Sequence, residues 1–587
     1  MKKFIIFFVC FYCFLNTLFF FNPLTELSTF EVYDAAGKLE QTVKLPFSKK
    51  SKDKKRQIIY KGTITTSKIF FNTVFHIVVD DKLNALEVNG QAVDISHFGN
   101  KLRDYHNGFR IDLKDVLKTG ANSIVFDTTD YGGTYGLKVN NNFNRTFAYI
   151  IYVFLFVLIF LLFIALFKKI FSPIEFGIIL LFFCFSSLLL VELSISQFSN
   201  DAEGHRDYVA YILDNFRLPT KNQCWSCYHP ALYFVLAAIA NYILPAAIGF
   251  EKKLQVFTFF ISLGFVTYAL LILRKFISKK VDYYLIASAL LLMPSMVIHS
   301  VRVGNDSLFY LLSAMTLFYG LTFLETRQKN FLVFAALAAL FSLFAKLNGF
   351  INLILIGLLF GYTWIFYEKR SWQWLLKTKL VILSFIIGLA FLAREVILTG
   401  VIGNYDGLGS ALRIAGKFYN FVWLDVYTFL KEPAIQSFSD VAGRQYFWNY
   451  FLKSAINGEW NFPQKTQTLM IHWLSFLWLI LVGYNIFYFF RSKAADWNIK
   501  KIFLFGYLGI SIAALIFTVI RYSFSCAQDF RYVYPILIPF FIFLGLFLEK
   551  LRNEKSYFAV LVLYCTLVLF VICSLIFNSY WFVFKDW

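Results

Sequence analysis

Residues 174–195 form an apolar stretch, IEFGIILLFFCFSSLLLVELSI, and the polar stretch SNDAEGHRDYVAYILDNFRLP follows at residues 199–219. The apolar stretch is nearly free of charge and is long enough for a helix that crosses a bilayer. The polar stretch then places two carboxylates and a histidine close together, at Asp201, Glu203 and His205. The two stretches predict a membrane helix that ends beside a cluster of ionisable side chains.

The composition of the whole chain agrees with this pattern. Of its 587 residues, 58% are hydrophobic and 16% are charged, whereas about one quarter of an ordinary soluble domain is charged. Apolar runs of roughly 17–25 residues recur and give about 13–14 hydrophobic segments. They occupy residues 4–22, 147–168, 174–195, 229–248, 255–273, 281–299, 307–325, 330–345, 351–367, 376–398, 467–490, 502–520, 534–548 and 557–578. We therefore predict a mainly α-helical polytopic membrane protein.

The net charge of +20 follows the membrane topology. Lys and Arg concentrate in short loops such as RKFISKK at 274–280, TRQK at 326–329 and RSKAADWNIKK at 491–501, which is typical of cytoplasmic loops. A nucleic-acid interface would need one basic face, whereas whole membrane segments separate these clusters. No nucleic-acid partner is predicted.

One segment conflicts with this charge rule. If residues 229–248 cross the membrane, counting crossings from the amino terminus places residues 274–280 outside, and counting back from the carboxyl terminus places them inside. Residues 229–248 are therefore predicted to be short or re-entrant, unless another predicted segment is wrong.

The composition changes sharply after the first segment. Residues 1–22 resemble an uncleaved membrane anchor, because no small-residue cleavage site follows the apolar run. Residues 23–146 alternate strand-like runs with turn signals such as VNGQ and DYGGTYG, which predicts an extracytoplasmic β-sandwich. Residues 147–587 form the predicted transmembrane domain, with external loops at 196–228 and 399–466.

Two parts of these external regions have an open interpretation. The order LEVNGQAVDIS…GFRIDLKDVLKTGANSIVF in the sandwich resembles galactose-binding-like jelly rolls, so it either binds carbohydrate or packs as a cap. Aromatic residues of the second loop, Trp448, Tyr450 and Trp460, either stack on sugar rings or belong to an interfacial aromatic belt.

Cysteines Cys224 and Cys227 stand in the first external loop, in NQCWSCYHP. A CxxC pair forms a disulfide, half of a metal site or a redox pair. Cys526, which is also external, competes as a disulfide partner.

A second polar cluster, HSVRVGNDSLF at 299–309, begins another predicted helix and contains Arg302, Asn305 and Asp306. Helix capping is the simplest interpretation of such acids, and Asn200 with Glu203 matches a capping box. Two acidic clusters on one membrane face also suit a divalent cation or a general base. A tentative metal site at Asp201 and Asp306 is therefore predicted.

Basic side chains are predicted on the same face. Lys346 in FAKLNGF and Arg531 in CAQDFRYVYP end hydrophobic segments. Each alone is compatible with a side chain that extends to the membrane interface. Together with the carboxylates they indicate a pocket for a phosphate group.

These motifs carry a family resemblance over residues of roughly 174–550. The stretches NDAEGHRDYVAYILDNFRLP…YHPALYF, RVGNDSLFY, AKLNG and DFRYVYP resemble the GT-C glycosyltransferases, especially bacterial relatives of protein O-mannosyltransferases and aminoarabinose transferases. The resemblance implies a helical membrane bundle that transfers a sugar from a polyprenyl phosphate carrier, often with a divalent metal such as Mg, Mn or Zn.

The resemblance also implies residue roles. Asp201 would be the general base, and Glu203 or His205 would assist it or hold a metal. The substrate-binding residues implied are His229, Arg302, Asn305, Lys346 and Arg531. The sequence has DAE in place of an adjacent Asp-Glu pair, which leaves the part of Glu203 and the metal dependence open.

The predicted function is inverting transfer of a sugar from a polyprenyl-phosphate-linked donor to a glycan, lipid or protein acceptor, on the periplasmic side of a bacterial inner membrane. The alternative is a transporter or flippase of lipid-linked sugars. A transporter is expected to carry ionisable groups near helix centres, whereas the middles of segments 281–299, 351–367 and 557–578 have none.

Overall fold

The computed structural model describes residues 26–27, 29–43, 45, 47–51, 55–66, 73–103, 108–141, 157, 160–193, 201–220, 222–244, 249–399, 419–432, 446–458, 460, 462, 465–521 and 525–583. The predicted anchor at 1–22, most of segment 147–168 and much of the loop 399–466 lie outside these residues. The chain divides into two compact units, residues 1–166 with 245–248, and residues 167–244 with 249–587.

The first unit is an antiparallel β-sandwich. Its strands are β1 (Glu26–Leu27), β2 (Phe30–Asp34), β3 (Leu39–Val43), β4 (Phe47–Ser51), β5 (Arg56–Thr66), β6 (Val74–Val79), β7 (Lys82–Val88), β8 (Gln91–Val93), β9 (Phe109–Asp112), β10 (Gly120–Asp130) and β11 (Gly133–Asn141). A seven-stranded sheet has the order β3-β2-β5-β10-β7-β8, with β1 paired to β5, and a four-stranded sheet has the order β4-β11-β6-β9. Alternate residues of both sheets, including Phe75 and Phe126, form one buried core. The predicted sandwich is confirmed.

The second unit is helical. Its helices are α1 (Pro173–Glu192), α2 (Ala202–Asn215), α3 (Leu232–Ile243), α4 (Phe250–Arg274), α5 (Lys280–Leu291), α6 (Pro294–His299), α7 (Asp306–Thr326), α8 (Lys329–Ala345), α9 (Phe350–Tyr362), α10 (Trp372–Lys377), α11 (Lys379–Thr399), α12 (Tyr419–Val422), α13 (Val426–Lys431), α14 (Phe447–Asn457), α15 (Lys465–Arg491), α16 (Ile499–Arg521), α17 (Leu537–Asn553) and α18 (Tyr557–Val583). A 3-10 helix, Phe530–Ile536, precedes α17. In the part of the chain that the structure describes, 8 helical segments are long and apolar enough to cross a membrane. The chain is a multi-pass membrane protein, as predicted.

The conflict over segment 229–248 is resolved by the length of α3. This helix has 12 residues and is therefore about 18 Å long, whereas the hydrocarbon core is about 30 Å thick. Helix α3 is too short to cross, which was one of the predicted alternatives.

The contacts between α1 and α4 agree with this assignment. Lys252 at the start of α4 donates to the carbonyl oxygens of Leu190 and Leu193 at the end of α1, both at 2.5 Å. At the opposite ends, Arg274 forms an ion pair with Glu175. The two helices are antiparallel neighbours, so the basic loop 274–280 lies at the same end as the start of α1.

The predicted segment 281–299 is wrong as a single helix. It is divided into α5 and α6 because Pro294, the first residue of α6, has no backbone N–H to continue the hydrogen bonding of α5. The side-chain amide of Asn578 donates to the carbonyl oxygen of Leu292 at 2.8 Å and satisfies one group at the break. The short helix α6 ends at His299, directly before the second polar cluster.

Candidate active site

Residues from three separate stretches line one small cavity in the helical unit. They are Asp201, His205, His299, Arg302, Val303, Gly304, Asp306, Ser307, Tyr310 and Arg531. The cavity measures about 10 Å³, which is the space of about one water molecule. A larger ligand therefore requires the surrounding side chains to move apart. The two acidic clusters, which are about a hundred residues apart in sequence, meet here.

Asp201 occupies the residue before the first turn of α2, but its side chain does not cap the helix. Its carboxylate instead forms an ion pair with Arg531, at 3.0 Å between Oδ2 and the guanidinium. The predicted capping box includes Asn200, which lies outside the described residues; α2 begins at Ala202, so Asp201 is the residue before its first turn. Glu203 is exposed and does not line the cavity.

Arg531 lies in the 3-10 helix, where Asp529, Tyr532 and Tyr310 contact it. Its Nε lies 3.3 Å from the carboxylate of Asp529, and another guanidinium nitrogen donates to the Tyr532 hydroxyl at 3.1 Å. The Tyr310 hydroxyl donates to the backbone carbonyl of Arg531 at 2.9 Å. The side chain is 9% exposed. Its charge is thus fixed at the cavity and shared between Asp201 and Asp529.

Asp306 and Lys346 form the second ion pair of the site, with side chains that are 13% and 8% exposed. The ammonium group of Lys346 also lies 4.8 Å from the centre of the Tyr532 ring. Asn305, predicted to bind substrate, is buried and donates to the carbonyl oxygen of Ala345 at 3.1 Å. That bond joins the start of α7 to the end of α8, which keeps Lys346 beside Asp306.

Two histidines of the site have a defined environment. The Nδ1 of His205 lies 3.3 Å from the carbonyl oxygen of Val303. Because a carbonyl only accepts, Nδ1 carries the proton and Nε2 is left as an acceptor, buried and without a partner among the residues described. The ring of His229 lies 5.5 Å from that of His205. Burial lowers the pKa of His205, although Asp201 opposes the effect, so His205 is neutral near pH 7.

Two charged residues outside the spans, Asp201 and Lys346, have shifted pKa values. Burial raises the pKa of Asp201, but the Arg531 guanidinium outweighs burial and holds this pKa below the usual range of a carboxyl group. Burial lowers the pKa of Lys346, and the neighbouring Asp306 opposes that shift. Asp201 is therefore a carboxylate that is firmly ionised while Arg531 is in contact with it.

The side chains that the structure describes do not form a ready metal site. No group of three or more His, Cys, Asp or Glu side chains suited to a metal ion occurs in the described part of the chain. Asp201 and Asp306, the predicted metal ligands, are each paired with a cationic side chain. Metal ligation by these two residues stays a prediction.

The loop of the CxxC motif supports the start of α2. Cys224 and Cys227 form a disulfide, with 5.1 Å between their Cα atoms. A Cβ atom added to Gly204 would lie 2.4 Å from the Ser226 hydroxyl, so this loop and the first turn of α2 are in close contact. The disulfide loop helps to fix the helix that carries Asp201 and His205.

Aromatic residues differ in their relation to the site. The ring of Trp460 lies 5.8 Å from the guanidinium carbon of Arg302. Tyr450 is fully buried, which disfavours the alternative in which its ring stacks on a sugar. Trp448 donates its indole N–H to the carbonyl oxygen of Phe421 at 2.6 Å.

Sequence reasoning missed several residues at or beside the cavity. His299 and Tyr310 line it, and Asp529 shares the charge of Arg531. Asp529 stands two residues before Arg531 in DFRYVYP, and His299 begins the quoted second cluster. Asp529 and His299 could therefore have been recognised from these motifs, whereas Tyr310 is one of many aromatic residues in an apolar helix.

No family model matches the chain, and no curated protein matches it. Several solved structures do. ArnT from Cupriavidus metallidurans in the apo state has a TM-score of 0.40 and 13% identity over 66% of this chain and 62% of that chain. The same protein bound to undecaprenyl phosphate gives a TM-score of 0.40 and 14% identity. The archaeal oligosaccharyltransferase AglB from Archaeoglobus fulgidus, in complex with an inhibitory peptide and a dolichol-phosphate, gives 0.36 and 12% over 70% of this chain and 56% of that chain.

The chain spans less than two thirds of the length of ArnT and of AglB. Because the TM-scores are low, the assignment of the site depends on its own geometry.

Proposed function

We propose that this protein is a membrane glycosyltransferase that takes a sugar from a polyprenyl-phosphate-linked donor and transfers it, with inversion, to an acceptor on the periplasmic side of a bacterial inner membrane. The observation that carries the proposal is the single cavity at which Asp201 and Asp306 meet, each beside a buried cation. ArnT bound to undecaprenyl phosphate and AglB in complex with a dolichol-phosphate suggest the class of donor.

The donor phosphate takes the place of a carboxylate at the cations. Arg531, Lys346 and Arg302 are the cationic side chains in or beside the cavity. Guanidinium and ammonium groups hold phosphate oxygens through charge-assisted hydrogen bonds. During transfer, the bond between the anomeric carbon and the phosphate oxygen breaks. The same cations then stabilise the negative charge that develops on the leaving phosphate.

Asp201 is the base that removes the proton from the attacking hydroxyl or amine of the acceptor molecule. As long as Arg531 neutralises Asp201, the carboxylate is a weak base, because its pKa is held low. When Arg531 turns to the donor phosphate, this constraint is reduced and the basicity of Asp201 increases. The acceptor hydroxyl or amine then attacks the anomeric carbon from the face opposite the phosphate, a new glycosidic bond forms, and its proton passes to Asp201. His205 Nε2 lies in the same cavity as an assisting acceptor.

The transfer assay tests this assignment. Purified protein is incubated with radiolabelled polyprenyl-phosphate sugars and extracted envelope fractions, and labelled acceptor is counted. Asp201→Asn is expected to lower transfer by about 10²–10⁴-fold, the usual contribution of a general base. The control is Asp207→Asn, a change of an exposed acid on the same helix, paired with Arg206, and it is expected to keep wild-type activity. Full activity of Asp201→Asn in a correctly folded protein would remove Asp201 from the mechanism.

A further inference from the structure

Two turns of the helical unit carry cationic side chains at the end of α7 that is far from the active-site cavity. Asp306 begins α7 and lines the cavity, whereas Arg327 follows the last of its 21 residues, a rise of about 30 Å. The second turn lies beyond α9 and contains Lys369 and Arg370. We propose that these two turns bind the phosphate of an anionic phospholipid in the leaflet opposite the cavity. The inference does not depend on the proposed transfer reaction.

The side chain of Arg327 joins the two turns. Its guanidinium carbon lies 3.7 Å from the centre of the Tyr367 ring and 6.0 Å from the centre of the Phe323 ring. Tyr367 ends a one-turn π-helix, Thr363–Tyr367, that continues α9 and directly precedes the second turn. Stacking on a ring occupies the face of a guanidinium group and leaves the N–H groups at its edge to bind oxygen atoms. The cation is thus held in place while its donors stay available.

Two buried donors in this region have no acceptor among the residues that the structure describes. One is Nη1 of Arg327, and the other is the indole nitrogen of Trp364 in the π-helix. The chain is described without a gap from residue 249 to residue 395, so both turns and the helices that they join are included. A buried donor without an acceptor costs free energy, and both of these groups can only donate. A phosphate, which is rich in acceptor oxygens, would satisfy them.

The backbone of both turns favours a role beyond reversal of the chain. Arg327, Lys369 and Arg370 have φ angles of 58°, 45° and 62°, in the left-handed region that glycine adopts most easily. Long cationic side chains therefore stand where glycine would cost less. A single turn of π-helix is also rare and is frequent at functional sites. Backbone outliers of this kind cluster at ligand sites, which supports a binding role for the three cations.

The surroundings favour a lipid over a soluble phosphate compound. Phe366, Trp372 and Leu376 are large apolar side chains that are exposed on both sides of the second turn, at the end of the apolar span Leu347–Tyr367. Exposed Trp side chains at the end of a span lie at the headgroup level of a bilayer. A phospholipid places its phosphate at that level and its acyl chains against apolar side chains, and basic pockets between membrane helices bind anionic headgroups. The three cations outnumber Glu368, the acid of the second turn.

Lys555 provides the matched control, because it is a cation on the same membrane face but belongs to neither turn. It is exposed and has the same φ angle as Arg327, 58°. Arg552, just before it, pairs with Asp282 at the start of α5. Lys275, in the loop before α5, pairs with Glu325 at the end of α7. Lys555→Gln therefore removes one positive charge from this face and leaves the proposed site intact.

Lipid binding to the full-length protein in detergent tests this proposal. Native mass spectrometry gives the affinity for phosphatidylglycerol and for zwitterionic phosphatidylethanolamine, and glycerol phosphate is added as a soluble competitor. Phosphatidylglycerol is expected to bind more tightly than phosphatidylethanolamine. Arg327→Gln is expected to weaken phosphatidylglycerol about tenfold or more, since a charge-assisted hydrogen bond is lost. Trp364→Phe, which keeps a ring and removes the N–H, and Lys369→Gln should each weaken it about fivefold.

Lys369 is exposed, so its variant is expected to fold even if Arg327→Gln does not. Lys555→Gln is expected to leave the affinity unchanged. The proposal is overturned if the two phospholipids bind equally, or if Lys555→Gln weakens binding as much as the variants of the two turns, because surface charge alone would then explain it. It is equally overturned if none of these variants weakens binding, or if glycerol phosphate displaces the lipid at equal concentration. None of these results depends on sugar transfer.

Discussion

Lys346→Met separates the structural role of the buried ion pair from its role in binding phosphate. The side chains of Lys346 and Asp306 are 8% and 13% exposed, so solvent screens the pair weakly. Removal of one partner from a buried ion pair costs about 3–5 kcal/mol, because the other charge is left without compensation. We expect Lys346→Met to lie near the lower end, about 3 kcal/mol, because Asp306 retains some contact with solvent.

The double variant Lys346→Met with Asp306→Asn provides the contrast. Both charges are then absent, and neutral replacements of a buried pair are often neutral in stability. We expect its free energy of unfolding to return to within about 1–2 kcal/mol of wild type, which is less than the summed costs of the two single variants and shows that the two sites are coupled. Donor affinity, in contrast, should stay at least about tenfold below wild type, since the cation that would hold the phosphate is still missing.

Two measurements decide the outcome. Unfolding of the purified protein in detergent by added SDS gives the stability of the wild type, the two single variants and the double variant. Titration with a polyprenyl phosphate gives donor affinity for the same four proteins. If Lys346→Met is as stable as wild type, loss of Lys346 does not leave Asp306 as a buried, uncompensated charge. If the double variant binds the lipid normally, Lys346 does not hold its phosphate.

Three further results are expected. Arg531→Gln should raise the pKa of Asp201 toward the ordinary value of about 3.9, so the acidic limb of the transfer rate should move to higher pH; an unmoved limb in a still-active variant would show that Arg531 does not control this carboxyl group. Burial lowers the pKa of His229 well below its ordinary value. As the pH falls, His229 is therefore protonated in the unfolded chain at a higher pH than in the folded protein. The unfolding free energy should then fall as the pH drops below about 6.5. His229→Gln should make that decline shallower, and equal slopes would contradict the shift. Gly204→Ala places a methyl group against Ser226 and should cost about 1–3 kcal/mol in the same SDS unfolding experiment, whereas wild-type stability would mean that the disulfide loop moves freely.

Several membrane segments were predictable because each is a local property of composition. Helix α7, for example, occupies Asp306–Thr326, close to the predicted 307–325. The helix break at Pro294 is also a local property. It was not predicted, because the apolar residues on both sides of Pro294 form one continuous run. The sandwich could be predicted as a class of fold, but strand order depends on pairing over long distances. Its bulge at Asn84 arises only when β7 and β10 meet.

The charged part of the site was partly predictable for a similar reason. Asp201 and Asp306 stand out because each belongs to a cluster of polar residues at the end of an apolar segment. Which cation each one contacts depends on how helices α2, α7 and α8 and the 3-10 helix meet, and sequence spacing does not determine that. Asn305 illustrates the limit. Its residue type and position suggested a binding residue, whereas in the structure its side-chain amide donates to a backbone carbonyl of the neighbouring helix.

The candidate active site holds three negative and three positive side chains. Asp201, Asp306 and Asp529 stand against Arg302, Lys346 and Arg531. An anionic lipid headgroup that enters this electrically balanced site gives it surplus negative charge. Uptake of a proton from the medium by a group other than the general base Asp201 would restore the balance. Donor capture would then consume hydrogen ions, and its heat would vary with the ionisation enthalpy of the buffer.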